Sequence, residues 1–275
     1  MLKKLLKYDL RAIFRLWWIV ALVSVGMSVL GGFALDLTIN HSDVPDPIST
    51  IASIIIFLTY FTMVGFVLVT EVLIFIRYYR NFFTDEGYLT FTLPAKRETL
   101  LNSKVLAGLI SMVAAGGVCV LDCGIMYTIT AHQQIRSGEL AREIAEFIRE
   151  IPNEAVGYLL IYSIEALIII GLLILLSVLF LYCCITFGSM IVKKGKLLAA
   201  IGIYYGANSI FTTAIQLMLI LGVGSIAVWL APITEQQLPN IVALIFLLAI
   251  LFLAVLCALS YAFTHWMLGR KLNLS

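Results

Sequence analysis

Residues 156–192 read VGYLLIYSIEALIIIGLLILLSVLFLYCCITFGSMIV, an apolar run in which Glu165 is the single charge. A helix that crosses a bilayer needs about 20 predominantly apolar residues at 1.5 Å rise each, and this run is far longer. Five further runs qualify, at 16–35, 51–76, 105–130, 197–230 and 238–267. Backbone N–H and C=O groups in hydrocarbon must be satisfied within the segment, so each run predicts an α-helix. The expected fold is an all-α membrane protein with six transmembrane helices forming a single domain over 1–275. The runs 156–192 and 197–230 exceed one simple crossing, so they extend past the bilayer, tilt or are broken. In the second, Gly222, Gly224 and Pro232 mark a break.

Composition agrees with lipid as the main solvent. Hydrophobic residues make up 62% of the chain and charged ones 12%, with a mean hydropathy of +1.05. Soluble domains are roughly 45–50% apolar and about 25% charged. The net charge of +2 is too small to argue for a nucleic-acid partner. Five cysteines, Cys119, Cys123, Cys183, Cys184 and Cys257, all fall inside apolar runs. They do not read as a secreted disulfide framework. Cys119 and Cys123 share a helix face, where packing as small hydrophobes is the reading preferred over a metal or redox pair. The basic start followed by an apolar stretch resembles a signal peptide superficially. No small-residue cleavage site follows, so the first segment is expected to be retained.

Orientation follows from Lys and Arg. With the N-terminus inside, the cytoplasmic segments hold Lys3, Lys4, Lys7, Arg11 and Arg15, then Arg77, Arg80, Lys96, Arg97 and Lys104. They also hold Lys193, Lys194 and Lys196, and finally Arg270 and Lys271. The outer segments keep Arg136, Arg142 and Arg149. Fifteen of 18 basic residues therefore predict a chain with both ends inside. Trp17, Trp18 and Trp266 fall at inner ends and Trp229 at an outer end, where an amphipathic ring prefers the headgroup level.

Three water-facing pieces stand out. Residues 1–15 place Leu2, Leu5, Leu6, Leu10, Ile13 and Phe14 on one stripe with lysines and arginines around it. They read as an N-terminal interfacial amphipathic helix, or as a simple basic anchor for the first span. Within 132–155, Leu140, Ile144, Phe147, Ile148 and Ile151 form the apolar face of an outer amphipathic helix, with Ser137 as its N-cap and Pro152 ending it. It lies on the membrane or on the bundle rim, as a passive cover or as a lid. The third piece, 77–104, is too aromatic for a disordered linker and carries both signs of charge. Thr84 can cap a short helix opening with Asp85 and Glu86, and Pro94 ends the piece. Phe82, Phe83, Tyr88, Leu89 and Phe91 can fill a groove on a soluble partner, since aromatic anchors dominate such interfaces. An interfacial helix packed on lipid is the other reading.

At this third piece the sequence resembles the type 2 permease family of ATP-binding cassette transporters, especially six-span members from Gram-positive bacteria. The likeness runs from Phe83 to Lys104, where Asp85-Glu86-Gly87-Tyr88-Leu89-Thr90-Phe91-Thr92-Leu93-Pro94 precedes a basic segment and Leu100-Leu101-x-x-Lys104. The ending Leu272-Asn273-Leu274 is similar too, and the rest of the likeness is topological. The resemblance implies a cytoplasmic coupling helix that docks a separate ATPase subunit, with Phe82, Phe83, Asp85, Glu86, Tyr88, Leu89 and Phe91 as docking residues. It implies two ATPase copies, which hold the ATP and Mg, and a second permease chain in a homo- or heterodimer. It further implies a multi-pass protein of the bacterial cytoplasmic membrane, with the N-terminal helix sharing the docking surface. Family members often have re-entrant helices at the outer end of span five; here 222–238 is short, so any such element is small.

The chain lacks chemistry of its own. Gly195-Lys196 is followed by Leu197 without the earlier glycine of a phosphate-binding loop, so no ATP site is expected. No H-E-x-x-H or G-x-S-x-G occurs, and His41, His132 and His265 lie far apart. No enzyme activity and no bound cofactor or metal are expected. Glu71, Asp122 and Glu165 are intramembrane acids, which usually face the bundle interior or water. Glu71 can pair with Arg77 or the docking segment, and Asp122 and Glu165 can shape a pathway or face the outer leaflet boundary. Tyr205, Asn208, Thr212 and Gln216 make one polar stripe on span five, and Thr59, Thr62, Phe66 and Thr70 a weaker one on span two. Both line a pathway or bond neighbouring helices, and in the family the corresponding spans face the dimer interface. The expected function is the permease subunit of an exporter of an amphipathic peptide, drug or lipid-like cargo. A non-transporting receptor or assembly protein is the alternative. An ion-coupled carrier is weaker, because no internal repeat appears.

Overall fold

The computed structural model describes residues 2–41, 45–84, 97–150, 152–191, 198–210, 212–213, 216–217 and 238–270. Their regular structure is helical: α1 (Leu2–Asn40), α2 (Asp46–Phe83), α3 (Arg97–Thr130), α4 (His132–Ser137), α5 (Glu139–Glu150), α6 (Asn153–Ile191), α7 (198–210) and α8 (Leu238–Arg270). Among the described residues five helices, α1, α2, α3, α6 and α8, are long and apolar enough to cross a membrane. The protein is thus all-α, with several long apolar helices consistent with a multi-span membrane bundle. The later part of the run 197–230, with Gly222, Gly224 and Trp229, lies outside the described residues, as do Pro232 and residues 85–96.

The helices run past the apolar stretches that nucleate them. α1 has 39 residues, about 58 Å at 1.5 Å each, against a hydrocarbon core of about 30 Å. Residues 2–15, expected to form an interfacial amphipathic helix or a basic anchor for the first span, are one continuous helix with the first apolar run. No glycine, proline or polar break separates Arg15 from Leu16, so the hydrogen-bonded ladder continues without interruption into the first apolar run. The amphipathic pattern itself is present. Lys3, Lys4, Lys7 and Arg11 are exposed, while Ile13 is buried and Leu2, Leu5, Leu6, Leu10 and Phe14 are half-buried.

The chain forms two compact units, Met1–Arg77 with Asn102–Pro152, and Tyr78–Leu101 with Asn153–Ser275. In the first, α1 packs on α2 and α3 through Trp17, Ala21, Phe66 and Ala115, with Phe14, Val20, Leu73, Ala114, Val118 and Cys119 around them. The Trp17 and Phe66 rings lie 5.3 Å apart. Trp17 is therefore a core anchor of this unit, whereas Trp18 and Trp266 are exposed. Close approach needs small residues, because lipid tails are as apolar as leucine and packing alone must hold the helices. A Cβ on Gly31 would stand 2.5 Å from Thr59 Oγ1, and one on Gly32 would meet Ile129 at 2.8 Å.

In the second unit α6 and α8 lie side by side. The Tyr162 hydroxyl donates to Pro239 O at 2.8 Å, and the Phe187 and Phe263 rings are 6.3 Å apart. Gly188 lets α6 approach the backbone of α7: a Cβ there would be 2.7 Å from Ala200 Cα. Large apolar side chains such as Leu167, Leu251 and Phe252 stay exposed, as expected where hydrocarbon is the solvent.

The segment over 132–155 is split. Gly138 takes φ 76°, in the left-handed region glycine enters without strain, and ends α4 by donating its N–H to Ile135 O. The Ser137 hydroxyl oxygen accepts from Glu139 N at 3.4 Å. Ile144, Phe147 and Ile148 along α5 are all exposed.

Candidate functional site

Three helix ends meet on one carboxylate in the first unit. Asp9 of α1 is 2% exposed and Lys104 of α3 is 6% exposed. Lys104 Nζ donates to Asp9 Oδ1 at 2.5 Å, and Arg77 Nε of α2 donates to the same oxygen at 3.1 Å. Arg77 keeps more contact with solvent than either partner. A carboxylate this far from water is tolerated when cations and hydrogen bonds replace its hydration. Sequence reading had Arg77 and Lys104 as charges that set orientation, with Glu71 as a partner for Arg77. Asp9 was passed over altogether. One signal is in the sequence: no lysine or arginine stands three or four residues from Asp9, the spacing at which a helix pairs opposite charges.

The aromatic end of α2 belongs to the second unit. Tyr78 stacks on Tyr182 with centroids 4.0 Å apart, and its hydroxyl shares a hydrogen bond of 3.0 Å with Thr186 Oγ1. Phe82 lies 5.0 Å from the Tyr78 ring and is 1% exposed. Phe82 is thus a packing residue with no surface left for a docking partner, which corrects its place among the docking side chains. Phe83 is half-buried beside Tyr78 and Tyr79. Thr84 donates its hydroxyl to Arg80 O at 2.6 Å, closing the last turn of α2. Asp85, Glu86, Tyr88, Leu89 and Phe91 lie outside the described residues. On their far side, Arg97 donates to Gly269 O at 3.2 Å, a cation on the carbonyl end of α8 where the helix dipole favours it.

The expected pathway residues separate. Thr59 is fully buried and donates to Ile55 O and Met27 O. Phe66 packs on Trp17, and Thr70 is buried with its hydroxyl on Phe66 O. These three serve helix packing, so of that stripe Thr62 alone retains partial exposure. The other stripe is open to its surroundings: Tyr205, Asn208, Thr212 and Gln216 are all exposed, and Thr212 donates to Asn208 O.

The intramembrane acids are equally distinct. Asp122 is fully buried; its Oδ2 accepts from Ser24 Oγ at 2.6 Å, while its Oδ1 has no hydrogen-bond partner. Glu71 is half-buried in the first unit, and Glu165 half-buried in the second. Ser24→Ala strips a buried carboxyl of its donor and is expected to destabilise by about 1–2 kcal/mol. The measurement is the thermal midpoint in detergent, with Ser28→Ala as control, because Ser28 bonds only its own helix at Val25 O. Equal midpoints for the two variants refute the assignment. Among the described residues no group of three or more His, Cys, Asp or Glu side chains is placed to hold a metal, and the five cysteines are free.

Fold and helix ends together define the class: an all-α, multi-pass type of membrane protein whose ionic centre sits at the bases of one connecting segment. Comparison with protein-family models, curated proteins and solved structures finds no match for the chain.

Proposed function

We propose that the chain is the permease subunit of an ATP-binding cassette exporter, with six spans and both termini in the bacterial cytoplasm. The observation that carries the reading is the segment 83–104, whose residues resemble the coupling region of type 2 permeases. Orientation rests on the distribution of Lys and Arg, fifteen of 18 of which fall in segments that this topology puts inside. The length of α2 and α3 supports it further, because both continue past their apolar runs on either side of the segment. A separate ATPase, in two copies, docks there and supplies ATP hydrolysis with its Mg. Two permease chains then rock between inward- and outward-facing states. Tyr205, Asn208, Thr212 and Gln216, exposed polar groups on an otherwise apolar helix, line the path of an amphipathic cargo or meet the second chain.

The test is affinity purification of the tagged chain from its native membranes. An ATPase is expected to co-purify, and Phe83→Ala and Glu86→Ala each to weaken its retention. Losing an interface anchor is worth about 2 kcal/mol or more, roughly thirtyfold in affinity. Absence of any ATPase, or retention unchanged in both variants, sinks the exporter reading. An ATPase that binds with no substrate-stimulated turnover favours a receptor that recruits a cytoplasmic partner and transports nothing.

A further inference from the structure

We infer that one face of α1 is a docking surface for anionic phospholipid, with Arg11 and Arg15 on the headgroup and Trp18, Leu22 and Phe33 against the acyl chains. The first 35 residues hold five cations, Lys3, Lys4, Lys7, Arg11 and Arg15, and one acid, Asp9. Asp9 is buried and taken up by Lys104 and Arg77, whereas all five cations are exposed. Among the described residues none of the five is paired with a carboxylate. Four of them fall on one line. Lys4, Lys7, Arg11 and Arg15 recur at spacings of three and four, so each meets the next on the helix surface as a like-charge pair. The first turn also holds no acid to offset the positive end of the helix dipole. The stripe repels itself, and an external anion relieves that repulsion.

The same face then turns apolar without a break. Asp9, Ile13, Trp17, Ala21, Ser24 and Ser28 are buried at spacings of three and four, so α1 keeps one side inward along its length. The opposite side runs from the four cations to Trp18, Leu22 and Phe33, which are 60%, 70% and 57% exposed. Residues 16–35 carry no charge. At 1.5 Å rise each they span about 30 Å, the thickness of the hydrocarbon core. With that stretch in hydrocarbon, Trp18 sits within a turn of the boundary, at the level indole rings prefer. Arg15 reaches the headgroup phosphates and Arg11 lies about 6 Å further out. Lys7 and Lys4 follow at the margin of the screened surface field. The ligand that fits has an anionic end and long apolar chains. A soluble polyanion matches only the first part of the face and leaves the rest uncovered. The inference rests on α1 crossing a bilayer and not on the permease reading.

The test is native mass spectrometry of the purified full chain in detergent, offered equal amounts of phosphatidylglycerol and phosphatidylcholine. Each cation near an anionic lipid surface strengthens association about fivefold. The parent chain is therefore expected to favour phosphatidylglycerol adducts by at least that factor. Arg11→Gln with Arg15→Gln should bring the ratio close to one, and Lys4→Gln with Lys7→Gln should lower it by less. All four side chains are exposed, so neither variant removes buried packing, and an unchanged thermal midpoint verifies that. Arg136→Gln with Arg142→Gln, in the segment over 132–155, is the control and should leave the ratio as it was. Glycerol 1-phosphate, which has the phosphate but no acyl chain, should not displace the lipid. The inference is overturned by a ratio near one in the parent, by an arginine variant that keeps the parent ratio, or by an equal loss in the control. Displacement by glycerol 1-phosphate overturns it too, because the face then takes soluble anions. Co-purification of an ATPase is read separately, so either idea can fail alone.

Discussion

Asp9→Ala is expected to cost about 3–5 kcal/mol, the usual loss when one member of a buried ion pair is removed and the other remains. Two cations are left behind. Arg77, whose side chain is 28% exposed, rehydrates more readily than Lys104 at 7%. The same logic orders the remaining variants. Lys104→Ala should cost less than Asp9→Ala, since Asp9 keeps Arg77. Arg77→Ala should cost least, about 1 kcal/mol or below, as for ion pairs with a solvated member. The measurement is equilibrium unfolding of the purified chain in detergent. A double variant separates lost attraction from stranded charge. Asp9→Leu with Lys104→Met replaces the pair by apolar groups of comparable bulk, a change that is often neutral or better in buried settings. It should recover most of the loss. If the double variant is less stable than Asp9→Ala alone, the damage comes from shape and not from charge, and the electrostatic account of these helix ends fails.

What the sequence made legible and what it hid divide along a physical line. Apolar runs are visible because hydrocarbon demands length and backbone self-sufficiency, so 156–192 and 238–267 match α6 and α8 closely. The helix over 139–150 was legible too, because its apolar residues recur at helical spacing beside charges. The rotation of a span about its own axis was not legible. Lipid and protein interior are equally apolar, so periodicity cannot tell a side chain facing lipid from one facing a neighbouring helix. That is why the reading of Thr59 and Phe66 stays open between lining a pathway and packing on a neighbouring helix until Gly31 and Trp17 are found opposite. Asp9 was hidden for a related reason. Charge counting treats each residue separately, whereas its meaning depends on partners 68 and 95 positions away. The segment 77–104 shows another limit, since its aromatic residues gave no warning that Phe82 packs against Tyr78 in the interior of its own unit.

Gly188→Val is expected to be the most damaging single change in the second unit, and the sign of its effect rests on a competition. Replacing a helical glycine by alanine ordinarily stabilises by about 1 kcal/mol, through backbone entropy. At Gly171 of the same helix nothing lies within 4 Å of an added Cβ, so Gly171→Ala should show that gain. At Gly188 the added atom would stand 2.7 Å from Ala200 Cα and 2.9 Å from Ala200 N. Both are backbone atoms of a residue with no exposed surface, so no side chain can swing aside and a helix must move. Overpacking of this kind costs about 1–3 kcal/mol for a small group and more for a branched one. Gly188→Ala is therefore expected to be destabilising despite its better helix propensity, and Gly188→Val worse by a further 1–2 kcal/mol or so. Thermal midpoints for Gly171→Ala, Gly188→Ala and Gly188→Val should move in opposite directions about the parent value. If Gly188→Ala stabilises as Gly171→Ala does, α6 and α7 are not in backbone contact. The consequence reaches the exposed polar stripe, because α7 carries Tyr205 and Asn208 and takes its place against α6 from this contact. A displaced α7 should change the accessibility of a probe at Asn208 while leaving one at Ser24, in the first unit, as it was.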